Sequence, residues 1–479
     1  MPSTLKKTLP SEPNWPLILQ GKYIAATIAI ALGIGSHAIN GFISAAILPD
    51  IIAEVGGETR AYWVFSLFQI TAILGGTLTG SLKSRFGAKS LYTLAAGLLA
   101  SGSLLAGLAA SLNMLLLGRA LQGFAEGMII ALSYAVIYDI YPKSAVSKVF
   151  AMSASVWALA AGIGPVSAGY LTELWSWRAA YLVNLPLVTL LLALALFVMP
   201  AKARDATEKE ALMAGLSKFA RLTCLGSAVL LVSYVGQASS LDTSLALFAL
   251  GIAMFAITHR WDRQSSAPLI PRVAFNPHYL IGAVMLVILL DSSASSVRML
   301  YGNALGRTLW GLSITEAAYL MTILAFSWSF AAWFVAKDID KSRQFRLIRI
   351  GTSAIASGLL LMALALALSS LPLFALALAL SGAGYGISNQ YLSQVAVYAS
   401  NSSDRDRAAA FLPSVGSIGI AIGAALNALI ARVIGLTEAG SSEILSAQTA
   451  SAHAPTQFAL LSLLAIAAAF LARRLHRLA

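Results

Sequence analysis

Residues 112 to 138 read LNMLLLGRALQGFAEGMIIALSYAVIY, a continuous run broken only by Arg119 and Glu126 among charged residues. A helix needs about 20 mostly apolar residues to cross the hydrocarbon of a bilayer, and this stretch exceeds that length. Lipid offers the backbone no partner, so only helices and closed barrels cross it. Barrel strands are short and alternating, which this run is not. It therefore reads as a membrane helix that carries a base and an acid inside the membrane.

The same pattern recurs along the chain. Apolar runs lie near 23 to 48, 62 to 82, 90 to 110, 112 to 138, 149 to 172, 178 to 199, 219 to 238, 241 to 259, 279 to 302, 314 to 336, 347 to 368, 371 to 396, 409 to 434 and 456 to 472, fourteen in all. Of the 479 residues, 58% are hydrophobic and only 11% charged, and the mean hydropathy is +0.79. Soluble domains carry about 25% charged residues, so a water-soluble globule is excluded. The expected fold class is an all-α polytopic membrane protein.

Basic residues orient the spans, because Lys and Arg stay in cytoplasmic loops. With the N-terminus inside, 26 of the 32 fall in cytoplasmic segments; the other six are Arg60, Arg119, Arg178, Arg298, Arg307 and Arg432. Both termini are thus expected in the cytoplasm. The net charge of +12 follows from this asymmetry, without a nucleic-acid partner. The single cysteine, Cys224, excludes an intrachain disulfide, and no Cys/His spacing suggests a metal or haem. Residues 1 to 23 lack the short apolar core of a cleaved signal peptide. No GxxxxGK[ST], HExxH or GxSxG string occurs, so neither an ATP-driven machine nor a hydrolase is expected, and no cofactor is implied.

The chain repeats itself. At an offset of 256, Ala100-Ser101-Gly102 falls on Ala356-Ser357-Gly358; at 259, Gly123 and Gly127 fall on Gly382 and Gly386, and Ile163-Gly164 on Ile422-Gly423. Parallel six-helix halves with a substrate site between them at mid-membrane are a transporter architecture. The spans at 219 to 238 and 241 to 259 fill the length left over and read as a central insertion. The expected units are a tail at 1–22, a first half at 23–200, a linker with the inserted pair at 201–277, a second half at 278–473 and a tail at 474–479. Residues 201 to 215 read as a charged cytoplasmic linker, and 435 to 455, rich in Ser and Ala, as a mobile outer loop.

Several strings resemble the major facilitator superfamily. Gly80-Ser81-Leu82-Lys83-Ser84-Arg85-Phe86-Gly87-Ala88-Lys89 is similar to its cytoplasmic loop signature, and Arg119, Gln122, Gly123 and Gly127 match its fourth-helix motif. Gly162-Ile163-Gly164-Pro165-Val166-Ser167-Ala168-Gly169 resembles the fifth-helix motif of antiporters, and Trp177-Arg178 through Asn184-Leu185-Pro186 the sixth-helix start of the fourteen-helix drug:proton antiporters. The resemblance implies two six-helix halves plus two inserted helices, and a gate at Arg85 and Lys89. Two positions depart from it: Ser84 and Asn40 stand where those families usually carry acids. Ser84 is expected to weaken the charge-to-helix-end latch, and Asn40 removes one customary proton carrier. The small residues of the fifth span would let backbones approach closely, which suits either plain packing or a sliding seam.

Two acids lie in mid-membrane, Glu126 and Asp291. A charge there costs several kcal/mol unless it is protonated, paired or wetted by a cavity, and marks function by default. Arg119 lies seven residues before Glu126, nearly two turns on the same face, and is expected to tune it; Asp291 and Arg298 repeat that spacing. His37, in the first span, is a further proton-coupling candidate by residue type. Asn40, Gln69, Tyr134, Trp157, Tyr385, Asn389 and Gln390, at similar depth, would suit a cavity for amphipathic ligands. The expected protein is a secondary transporter of a bacterial inner membrane, exporting small amphipathic compounds in exchange for protons, with a monomer sufficient. Proton-coupled uptake of a nutrient is the alternative; a non-transport membrane protein ranks below both.

Overall fold

The computed structural model describes residues 15–21, 23–56, 63–200, 212–337, 340–400, 404–437 and 446–479. The helices are α1 (Tyr23–Val55), α2 (Trp63–Phe86), α3 (Ala88–Gly107), α4 (Leu112–Ile140), α5 (Lys143–Leu174), α6 (Trp177–Leu182), α7 (Asn184–Val198), α8 (Leu212–Tyr234), α9 (Leu241–Gln264), α10 (Leu280–Trp310), α11 (Ile314–Val335), α12 (Lys341–Ala367), α13 (Leu371–Tyr398), α14 (Arg405–Val433) and α15 (Ala447–Leu478). Among the described residues fourteen spans are long and apolar enough to cross a membrane, with α6 and α7 forming one of them.

Polar residues at the turns set where these helices begin. Ser111 accepts from the Met114 amide at the start of α4, Asp340 from Arg343 at α12 and Ser370 from Leu373 at α13. At α11, Ser313 and Glu316 form a reciprocal capping box, which satisfies two amides that helix geometry leaves open. Gly87, with φ 79°, makes the sharp turn between α2 and α3, a conformation that other residues adopt only with strain.

Three sequence boundaries need correction. Helix α1 continues to Val55 instead of ending near 48. Helix α15 begins at Ala447, so the latter part of the segment expected to be a loop is helical; Ser446 caps it by accepting from the Thr449 amide. At the other terminus, Trp15–Leu19 forms a 3-10 helix that docks through buried Ile18, whose carbonyl accepts from the Thr27 hydroxyl at 2.5 Å. Within the linker, residues 201–211 lie outside the described residues, and α8 starts at Leu212.

The repeat is visible in the packing. A Cβ added at Gly123 would stand 2.2 Å from the Phe68 carbonyl oxygen, and one at Gly127 2.0 Å from that of Ala72, so α4 lies directly on α2. In the second half the same test puts Gly382 2.3 Å from the Leu324 oxygen and Gly386 2.3 Å from that of Trp328. The glycines keep the offset of 259 and their acceptors that of 256. Such backbone approach is how helices associate where lipid removes the hydrophobic drive between them.

Helices α8 and α9 pack on α2 and α14 and are tied at both ends. Arg432 of α14 donates to the carbonyls of Ala238 and Ser240 and to the Ser244 hydroxyl. At the opposite end, where the Lys/Arg-rich segments gather, buried Arg221 of α8 pairs with buried Asp262 of α9. The pair neutralises itself, and Asp262 also accepts from the amides of Leu269 and Ile270.

Candidate functional site

Glu126 is wholly buried in α4. Its Oε1 accepts from the Asn40 amide, and its Oε2 lies 3.3 Å from His37 Nδ1, both on α1. Asn40 and Asn184 of α7 exchange amide hydrogen bonds at 2.9 and 3.0 Å. A carboxyl, an imidazole and two amides from three helices thus meet in one pocket of the first half. Asn40, which stands where an acid is customary, supplies the donor that holds Glu126.

Arg119, expected to tune Glu126, makes its hydrogen bonds to other groups. Its Nε donates to the Val64 carbonyl at 3.2 Å and its Nη1 to Gln122 Oε1 at 3.0 Å, while Gln122 donates to Ser103. The guanidinium lies 4.1 Å above the Phe68 ring, and His37 stacks on that ring at 5.9 Å. Phe68 therefore contacts both the base and His37 of the His37–Glu126 group. Spacing along one helix predicted the shared face but not the aromatic ring that α2 inserts there.

In the second half Asp291 is buried in α10, and its Oδ1 has no hydrogen-bond partner among the described residues. Tyr385 of α13 stacks on Trp328 at 5.0 Å and donates to the Asp291 backbone carbonyl at 2.9 Å. Arg298, two turns on, reaches the same Tyr385 hydroxyl. Buried Gln390 has both amide atoms without partners among the described residues. Trp157 presents its edge to His37 at 6.0 Å, and Tyr134 stacks on Phe150 at 5.5 Å. Gln69 and Asn389 are half-buried. Trp157 thus lies beside His37 and Tyr385 beside Asp291, one in each half.

The two halves meet at the basic end. Buried Lys83 of α2 contacts Asp139 of α4 at 2.7 Å and Asp406 of α14 at 2.7 Å. Gly80 allows that approach, since a Cβ there would stand 2.8 Å from the Arg407 Cα. On the pseudo-equivalent pair α5 and α11, Ser155 contacts Ser329 at 2.9 Å and accepts from the Trp333 indole at 2.5 Å. Gln394 of α13 donates to Ser147 of α5.

The loop signature lies beside these contacts. Ser84 turns its hydroxyl onto the Ser81 carbonyl, and the neighbouring Lys83 makes the link to α14 with the sign reversed. Arg85 is exposed beside the Phe86 ring, and Lys89 is half-buried. The Lys83–Asp406 link is not legible in the sequence because the two residues lie 323 positions apart. The available signal was a lysine at the position before the missing acid. In the fifth-helix motif Gly164 is buried, and a Cβ added at Gly162 would stand 3.9 Å from the Phe326 ring. The surroundings of Pro165 and Gly169 lie outside the described residues.

Comparison with known proteins fits this geometry. A protein of Mycobacterium tuberculosis named "Probable multidrug-efflux transporter" is 27% identical over 365 residues, covering 75% of this chain and 76% of its own. Multidrug efflux pump SdrM of Staphylococcus aureus is 26% identical over 269 residues, covering 53% of this chain and 56% of its own. The crystal structure of the human organic anion transporter MFSD10 (TETRAN) superimposes with a TM-score of 0.68 at 15% identity, over 95% of this chain and all of that one. The sequence profile described as Major Facilitator Superfamily matches residues 30–424. With two repeated six-helix halves, an inserted pair and a profile match over most of its length, the chain is a multi-pass transporter, not an enzyme, and belongs to the major facilitator superfamily.

Proposed function

We propose that this transporter exports small amphipathic compounds in exchange for protons by rocking its two halves. The observation that carries the proposal is Glu126, wholly buried and held by Asn40 within 3.3 Å of His37. A carboxyl at that depth is costly as a bare charge. Neutralisation by a proton and neutralisation by a cationic or polar substrate are therefore alternatives, and that competition is what antiport requires. Asp291, beside Tyr385, is the second carrier. Names of the bacterial relatives, a multidrug-efflux transporter and a multidrug efflux pump, support the direction and the substrate class.

The proposed cycle uses these contacts. With the basic end shut by Lys83, Asp139 and Asp406, the site faces outward, and Glu126 exchanges its compound for a proton. Neutral Glu126 removes the charge that resists passage through the closed state, the halves rock, and the basic end opens. The proton leaves to the cytoplasm, and the next amphipathic molecule takes its place. In this reading both termini are cytoplasmic, the membrane is a bacterial inner membrane, a monomer suffices, and the moving bodies are 23–200 and 278–473 with 201–277 between them.

Purified protein in liposomes tests the reading. An imposed pH gradient, acid on the side opposite the basic end, should drive a labelled lipophilic cation toward that acidic side, and collapsing the gradient should stop it. Movement of compound and proton in the same direction would replace export by uptake.

A further inference from the structure

A second cavity lies outside the Glu126 and Asp291 groups, where the inserted pair meets both halves. It encloses about 340 Å³ between Leu225 of α8, Phe255 of α9, Leu289 of α10 and Phe411 of α14, and Thr77 of α2 closes one side. The walls therefore come from the insert and from each half. At one end stand Thr258 and His259 of α9, beside the Arg221–Asp262 pair. Thr258 is 6% exposed, and its hydroxyl has no hydrogen-bond partner among the described residues; neither has buried His259 Nδ1. Buried polar groups normally find partners, and an exception calls for an explanation.

Phe275, which also lines this space, has φ 59°. A bulky residue in that region is strained and persists only where its surroundings hold it. Here its ring meets His259 edge-on at 5.8 Å and Phe411 at 6.1 Å. The strain places an aromatic wall at the polar end of the cavity.

We propose that this cavity binds an uncharged amphipathic small molecule dissolved in the bilayer, its hydroxyl or amide end on Thr258 and His259 and its apolar body among Leu225, Phe255, Leu289 and Phe411. The size falls at the lower end of small-molecule sites, and the composition, apolar walls with a few converging polar atoms, matches them. Charge selects against ions, because Arg221 is already occupied by Asp262 and by the carbonyls of Ser217 and Ala267. Both unpartnered atoms can donate or accept, which suits a hydroxyl or amide. The site is independent of proton coupling and does not rest on the export reading.

The probe is a decanol carrying a diazirine in its chain, with the matching diazirinyl decane as control, applied to the full-length protein in phospholipid nanodiscs and mapped by mass spectrometry. Saturable adducts should concentrate on Ile252, Phe255, Thr258, His259 and Phe275. Thr258→Val with His259→Phe should lower decanol labelling about threefold to tenfold, the loss expected for one or two hydrogen bonds, while leaving decane labelling unchanged. Ile252→Trp should fill the space and abolish both, and Leu225→Phe serves if that variant fails to fold. Adducts spread over lipid-facing Leu250 and Ile257, insensitive to Ile252→Trp, would overturn the site. Equal labelling by decane and decanol would also overturn it, because the cavity would then hold only a lipid tail.

Discussion

Lys83 of α2 and Asp406 of α14 meet at 2.7 Å across the boundary between the halves, with Asp139 completing the other side of the lysine. Removing Lys83 leaves two carboxylates without their cation, and breaking a buried pair in this way costs about 3–5 kcal/mol. Asp139 is 31% exposed, so water recovers part of that. Lys83→Gln should raise labelling of a cysteine at Ser147, from the basic side, by about tenfold, which corresponds to roughly 1.4 kcal/mol of lost closure. The exchange Lys83→Asp with Asp406→Lys should restore protection. Unchanged labelling in Lys83→Gln would show that the pair does not hold the gate.

Two glycines separate closure from folding. Gly127 lies within the first half against the Ala72 carbonyl, whereas Gly80 faces α14 across the seam. Overpacking costs typically about 1–3 kcal/mol. Gly127→Ala should therefore lower the thermal midpoint of the detergent-solubilised protein. Gly80→Ala should leave that midpoint nearly unchanged and open the basic end, read by the same cysteine. Equal destabilisation by both would mean that the halves do not separate there.

Much of this fold was legible because lipid imposes a severe rule on sequence: long apolar runs and one-sided basic loops leave few alternatives. The ends were harder. The apolar run begins only near 456, but the helix starts at Ala447, where Ser446 caps it. The acids were legible one by one, since Glu126 and Asp291 stand out in apolar runs. Their company was not. Asn40 and His37 reach Glu126 from α1, Asn184 of α7 holds Asn40, and Phe68 of α2 packs on both His37 and Arg119, through contacts that no single-helix spacing encodes.

At the opposite end, Glu54 accepts from the Trp177 indole at 2.7 Å and from Arg178 at 2.8 Å, joining α1 to α6. The indole hydrogen bond first, then Arg178, holds its carboxyl below the ordinary value of 4.5. A carboxyl depressed by folding adds stability that is fully present above its unfolded value and fades as pH falls through the lower folded one. Wild type should therefore melt above Glu54→Gln at neutral pH, and the difference should shrink as the pH is taken below 4.5. A gap independent of pH would assign the effect to packing.

The central claim is exchange of protons for amphipathic compounds through Glu126. Inverted membrane vesicles containing the protein, energised and then challenged with a panel of lipophilic cations and neutral drugs, test it most directly. The account predicts proton efflux on adding a transported compound, abolished in Glu126→Gln and weakened in Asp291→Asn. Full exchange in Glu126→Gln, with loss only in Asp291→Asn, would contradict it and place the carrier in the second half.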